Sequence, residues 1–182
     1  MTALLYDGSP LLLQGSLFDD ILRDDDTEEF EIHRFSSTLR QAFAAFDNEG
    51  ALLVVEADIS GDANDAVRAD VLQDVARIAS SVIRRSDIVE RVDELTLAIC
   101  LPGSGRIGMT RVADAIRQQI WGASRQSANM LETVTIGAVH TTDAHLVDIN
   151  ELLLAARVNL DAARAAGGNR TNWSDWGRVD AA

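Results

Sequence analysis

Apolar residues along this chain recur with helical spacing in some stretches and as short unbroken runs in others. From His33 onward Phe35, Leu39, Phe43 and Phe46 return every third or fourth position, and Asn48 to Gly50 supply a stop. That spacing predicts a helix. The next segment, Ala51-Leu52-Leu53-Val54-Val55, is apolar throughout and runs into Glu56-Ala57-Asp58. A run of this kind predicts a buried central strand that ends in carboxylates. Gly61 to Asp65 predicts a turn. Val71, Leu72, Val75, Ile78, Ala79, Val82 and Ile83 then form one face of a second helix. Two short strands follow, Ile88 to Val92 and Leu95 to Leu101, and the short spacing at Asp93-Glu94 makes them a hairpin. Pro102-Gly103 closes the second. A third helix is expected from Ile107 to Trp121, a strand from Val134 to Val139, and a last helix from Ile149 to Ala166, ended by Gly167-Gly168.

From residue 51 the order is β-α-β-β-α-β-α, the split βαβ or ferredoxin-like arrangement, an α/β (α+β) fold with a central, mainly antiparallel sheet flanked by helices. Right-handed crossovers place the first and third strands side by side. Glu56 and Asp58 should then converge on Asp93 and Glu94 at one sheet end. Carboxylates gathered there can hold divalent metals, and strand ends and hairpin tips are also simply where acids meet water. Residues 1–30 mix short apolar pieces with Gly8, Pro10, Gly15 and the acidic run Asp24 to Glu29, and read as an appendage or linker. The domain is expected over 31–172, with a tail at 173–182 carrying Trp173 and Trp176.

A length of 182 residues allows one ordinary domain. The net charge is −13, and all 16 basic residues are arginine. This balance argues against a broad nucleic-acid surface, which works by neutralising phosphates, but leaves room for a local arginine cluster on one phosphate ligand. No apolar run is long enough to span a bilayer. Cys100 is the single cysteine, so a disulfide framework is excluded, and its place in a strand reads as core. His33, His140 and His145 are scattered. His140 and His145 with Asp143 could suggest a metal loop, but read better as a loop at a strand end.

Several short segments, in order, resemble the GGDEF domain family, the diguanylate cyclases that condense two GTP into cyclic di-GMP. Leu52 to Asp58 resembles the family's LLLLDID strand, and Asn64-Asp65 falls where its ND pair does. Val71 to Ala76 is similar to VLRAVA. Arg84 to Val92 resembles RxxDLVARL, and Ala98 to Gly103 resembles AVLLPG. Thr135-Ile136-Gly137 is similar to SIG, and Ala162 to Arg170 to YRAKAAGRNR. The order and spacing of these pieces carry the resemblance. It implies a palm-like fold and a bacterial, cytoplasmic role in cyclic di-GMP signalling.

The departures from the family pattern lie at its chemistry. The five signature positions hold Asp93, Glu94, Leu95, Thr96 and Leu97, or, with the glycines deleted, Asp93-Glu94-Leu95 replaces DEF. Both glycines that admit substrate to the hairpin tip are gone. The loop between Asp65 and Val71 is shortened, and the aspartate that helps read guanine falls near Ala69. Ser60-Gly61 replaces a phenylalanine-lysine pair. By resemblance, Glu56 keeps a carboxylate at the metal position, Asn64 a guanine-reading amide, and Arg164 a cation where the family has a phosphate-facing lysine. The resemblance therefore implies a degenerate member with no catalytic residues expected, Glu56, Asp93 and Glu94 being vestigial. Mg²⁺ would be needed only by an active cyclase, with Glu56, Asp58, Asp93 and Glu94 as its candidate ligands.

Arg84-x-x-Asp87 stands where active members carry an inhibitory product-binding RxxD. A guanidinium offers paired donors to phosphate or guanine, and a carboxylate accepts from guanine N–H groups. The alternative is an i,i+3 ion pair at a helix end. The same pattern recurs at Arg23 and Arg111, so only the position distinguishes Arg84. A second arginine of that site falls at Ala115, and Arg111 or Arg117 is the candidate replacement. The expected partners are cyclic di-GMP, another signalling protein and a second copy of the chain. The expected function is a non-catalytic receptor or interaction module. The rivals are an active diguanylate cyclase and a nucleotide-free scaffold.

Overall fold

The computed structural model describes residues 11–12, 37–46, 49–125, 130–142 and 149–176. The acidic run at 24–29, His33, Asp143 and His145 lie outside the described residues. The elements in chain order are β1 (Leu11–Leu12), α1 (37–44), β2 (Gly50–Ile59), α2 (Asp65–Val82), β3 (Ile88–Asp93), β4 (Thr96–Pro102), α3 (Arg106–Ser124), β5 (Leu131–Thr141), α4 (Ile149–Ala165) and β6 (Thr171–Asp175). They build one six-stranded sheet in the order β1-β3-β4-β2-β5-β6. The ferredoxin-like order holds from β2 to β5, and β2 and β4 are antiparallel neighbours as expected. Edge strands β1 and β6 run parallel to β3 and β5.

Helices cover both faces. Ala51, Leu53, Val55 and Ala57 of β2 pack with Val71, Leu72, Val75, Ile78 and Ala79 of α2 and Met109, Ala113, Ile116 and Ile120 of α3. Leu52 and Val54 face the other way, against Leu39 and Phe43 of α1 and Leu152, Ala156 and Leu160 of α4. The unbroken apolar run of β2 follows directly: a central strand covered on both sides has no solvent face. Glu56 and Asp58 continue the α4-side face to the end of the strand.

Two departures from the expected layout have clear causes. The tail from residue 173 is in part a strand: Thr171 to Asp175 pair with Ile136 to His140 of β5. Its sequence, Thr-Asn-Trp-Ser-Asp, has no apolar alternation, because an edge strand is recruited by main-chain hydrogen bonds and needs no core face. Trp176 packs against the α1/α4 core, so the chain after α4 folds back on the domain. At the opposite edge Leu11–Leu12, within the expected appendage, pair with Ile88 and Val89.

α4 crosses β5 in direct contact. A Cβ on Gly137 would stand 2.1 Å from the Ala156 carbonyl oxygen and 2.2 Å from the Leu160 nitrogen. Only glycine allows that approach. α4 then stops where Gly168 N–H reaches the Ala163 carbonyl at 3.1 Å, with Gly167 and Gly168 both at positive φ.

Candidate functional site: a sheet end of paired charges and an arginine corner

The first candidate region is the end of the sheet where β2 finishes. Glu56 stands opposite Thr96, and Ala57 N–H donates to the Leu95 carbonyl at 2.9 Å, so β2 and the β3–β4 turn meet there as the sequence predicts. The turn is two residues long, Glu94-Leu95, between paired Asp93 and Thr96. Neither turn residue has positive φ. The pairing register shifts between Arg91 and Asp93, and this irregularity lets the hairpin close without glycine. Leu95, at a signature position, packs half-buried against the α2/α3 core.

The four carboxylates expected to gather do not come together as a metal-holding group. Each is taken by a different partner. Glu56 accepts the Arg164 Nε–H on Oε1 at 3.0 Å, and Arg164 Nη2 stands against Oε2 as an ion-pair contact without hydrogen-bond geometry. Arg164 also donates to Asp161, one turn earlier on α4, at 3.0 Å. Asp58 accepts from Thr133 at 2.5 Å and from Thr135 at 3.0 Å. Thr135 Oγ1 in turn accepts the Asn169 N–H at 3.0 Å, so Asp58 anchors the loop that leaves α4. Glu94 is bound by Arg68 of α2 at 2.5 Å. Asp93 accepts the N–H of Glu94 at 2.7 Å and so shapes its own turn. Among the described residues no three His, Cys, Asp or Glu side chains are placed to hold a metal ion. Mg²⁺ is held through one or two carboxylates with water completing its shell, and with each carboxylate here already taken by a protein partner the residues as they stand do not fit it.

Asn64 is also engaged locally. It is the N-cap of α2, and its side-chain oxygen accepts the Val67 N–H at 3.0 Å. Sequence reasoning named Glu56, Asn64 and Arg164 but not Arg68, Thr133 or Thr135. Nothing local marks Arg68 or Thr133, and Thr135 entered only as part of the Thr135-Ile136-Gly137 motif. Arg68 meets Glu94 across 26 positions, and Thr133 and Thr135 meet Asp58 only through β2–β5 pairing.

The second region is the corner between α2 and β3. Asp87 is buried, at 2% exposure. Its Oδ2 accepts the main-chain N–H of Arg84 at 2.7 Å, while Asp87 N–H donates back to the Arg84 carbonyl at 3.1 Å. Ser86 Oγ approaches Oδ1 at 3.4 Å. Burial pushes the Asp87 carboxyl above the ordinary aspartate value, against the lowering effect of the Arg84 N–H and charge. So the contact made is not the expected i,i+3 side-chain ion pair. The carboxylate staples the turn through the backbone, and the Arg84 side chain projects into solvent beside exposed Arg85. Of the candidate second arginines, Arg111 is exposed on α3. Arg117 is drawn elsewhere, donating to the Asn169 carbonyl at 2.5 Å and to Asp114 at 3.4 Å.

A third cluster was not expected. His140 lies in β5 and not in a loop, and is buried at 4% exposure. Its Nδ1 is 3.1 Å from Asp175 of β6 and its Nε2 is 3.4 Å from Glu49. Arg106, at the start of α3, donates to the same Asp175 oxygen at 2.6 Å. Burial raises the Asp175 carboxyl, but the hydrogen bonds and charges of Arg106 and His140 together hold it below the ordinary value.

Comparison with known proteins agrees with this architecture. No curated protein matches the chain. Among solved structures, the active GGEEF domain of a diguanylate cyclase from Vibrio cholerae superposes with a TM-score of 0.63 at 20% identity, covering 78% of this chain and 94% of that one. The GGDEF domain of DgcB from Caulobacter crescentus, in complex with c-di-GMP, gives 0.61 at 17% identity, covering 76% and 87%. The diguanylate cyclase SiaD from Pseudomonas aeruginosa, in complex with its activator SiaC, gives 0.61 at 15% identity, covering 87% and 64%. At these identities the likeness is one of fold. The profile described as diguanylate cyclase, GGDEF domain, matches residues 33–170, more than half of the chain, and with the sheet order and the ordered motifs it places this chain in the GGDEF domain family.

Proposed function

We propose that this GGDEF domain is a non-catalytic receptor or interaction module in cyclic di-GMP signalling, with Arg84 as its nucleotide-contacting residue. The observation that carries the reading is the closed hairpin at the signature positions. Its tip presents Glu94, tied to Arg68, and half-buried Leu95, where the family's glycines and acids would face a triphosphate. Phosphoryl transfer needs positioning and charge stabilisation to act together on one phosphate. Here the cation Arg164 and the carboxylate Glu56 neutralise each other instead.

The α2–β3 corner supports the receptor half of the reading. Asp87 holds the turn rigid, and the Arg84 guanidinium is exposed for a phosphate or a guanine edge. In this reading Asp87 is a positioning residue, exposed Arg111 is the candidate for a second arginine, and Arg117 is committed to the loop after α4. The related DgcB domain was solved with c-di-GMP, which makes that dinucleotide the first ligand to test.

Two measurements test this. Titration calorimetry with c-di-GMP should show binding by the wild type and roughly tenfold or weaker affinity for Arg84→Ala, about the loss of one charge-assisted contact. Absence of binding by the wild type would leave a nucleotide-free scaffold. Incubation with GTP and Mg²⁺, followed by nucleotide chromatography, should yield no c-di-GMP. A product that disappears in Glu56→Ala would overturn the non-catalytic reading in favour of a diverged cyclase.

A further inference from the structure

We propose that Arg164 is the resident cation of the β2 sheet end. Its guanidinium holds, within the fold, the place at Glu56 that a divalent metal would need, so Glu56 takes up no Mg²⁺ or Mn²⁺ in the native chain. This deepens the non-catalytic reading and rests on it for its meaning, but its test needs no nucleotide.

The argument starts from Glu56. Its side chain is 20% exposed, and a carboxylate that far from water requires a countercharge. Two nitrogens of one guanidinium meet its two oxygens, Nε on Oε1 at 3.0 Å and Nη2 on Oε2. The contact is charge on charge with one hydrogen bond, and a chelator does not remove a guanidinium. Arg164 is held from behind as well. It sits in the last turn of α4, where the helix favours a cation, and Asp161 binds its Nη1 at 3.0 Å.

The neighbours supply nothing that would favour a metal over this pair. Asp58, next on the same face of β2, is satisfied by Thr133 and Thr135. Glu94 belongs to Arg68 and Asp93 to its own turn. The main-chain oxygen of Leu95 accepts from Ala57. A divalent ion at Glu56 would have to expel the guanidinium, and the neighbouring carboxylates that could join it are already held by protein partners. The pairing also explains why two residues with the right chemistry, a carboxylate for metal and a cation for phosphate, do not amount to half a catalytic site.

The test uses the full chain. Mn²⁺ titration followed by electron paramagnetic resonance should show no binding site in the wild type that Glu56→Gln abolishes. Thermal unfolding midpoints should be the same in millimolar Mg²⁺ and in chelator. A double-mutant cycle of Glu56→Gln, Arg164→Gln and the double variant should show coupling of about fivefold in the unfolding equilibrium constant, as expected for a contacting pair. A wild-type Mn²⁺ site that is lost in Glu56→Gln, or a cycle with no coupling, overturns the proposal. If Arg164→Gln does not fold, the wild-type and Glu56→Gln titrations decide alone. A wild type that binds Mn²⁺ at Glu56 yet makes no c-di-GMP defeats this inference and spares the functional reading. Turnover of GTP defeats the functional reading directly.

Discussion

Asp87 is a folding device inside the proposed nucleotide-binding motif. Its carboxylate closes the α2–β3 turn on the Arg84 N–H, and it does so while buried, which raises its pKa. A group whose folded pKa is raised adds stability below the unfolded value and loses that contribution as pH rises through the folded one. At neutral pH the buried charge is therefore a cost that the hydrogen bonds offset. Asp87→Asn keeps an acceptor for the Arg84 N–H and removes the charge. It should be at least as stable as wild type at neutral pH in urea unfolding, and the difference should narrow as the solution is acidified through the folded pKa. Asp87→Ala loses the acceptor and should cost about 1 kcal/mol. Because Asp87 positions the turn, Asp87→Asn should retain c-di-GMP binding where Arg84→Ala loses it. The RxxD spacing pointed to this corner, but a spacing cannot say whether a carboxylate meets a guanidinium or a main-chain N–H.

The helices and strands were legible wherever apolar residues recur with a period. The run from Ala51 to Val55 announced a strand covered on both faces, and all five of those residues have 0% exposure. β6 was not legible, since Thr171 to Asp175 joins the sheet through its backbone and its side chains carry no core pattern. The packing of α4 on β5 was half legible: Gly137 belongs to a family motif, but what it admits is visible only in three dimensions. Gly137→Ala would drive a methyl group into the main chain of α4 at Ala156 and Leu160, neither of which can swing away. The expected cost is about 3 kcal/mol, read from the urea midpoint, with α4 displaced from the sheet. A loss of only a few tenths of a kcal/mol would mean that α4 does not cross β5 at this contact.

Among the described residues, several charges meet in local pairs and triads. The chain carries a net charge of −13 on 182 residues, and two arginines at the β2 end meet acids: Arg68 with Glu94, and Arg164 with Glu56 and Asp161. No helix among the described residues is long and apolar enough to cross a membrane. At the other sheet end Asp175 ties β6 to His140 of β5 and to Arg106 of α3. Its depressed pKa contributes stability above the unfolded value, and that contribution is lost as pH falls through the folded pKa. Asp175→Asn should therefore unfold at a lower temperature than wild type at neutral pH, and the gap should close in acid. Tryptophan fluorescence is a suitable probe, since Trp173 lies on β6 and Trp176 packs just beyond it. A gap that widens in acid would contradict this linkage.

Local periodicity settled the order of elements, the faces they bury and the residue types present at the sheet end, because burial of apolar side chains depends on near neighbours in the chain and leaves a rhythm in it. The partners of the charged residues were left open. Glu56 and Arg164 are 108 positions apart, and His140 and Glu49 are 91 apart. Hydrogen bonds and short-range Coulomb attraction act over a few ångströms, so which acid meets which base is decided by how strands align and where helices end. Those distances exist only once the chain has folded, and they turn four candidate metal ligands into two ion-paired and two hydrogen-bonded carboxylates.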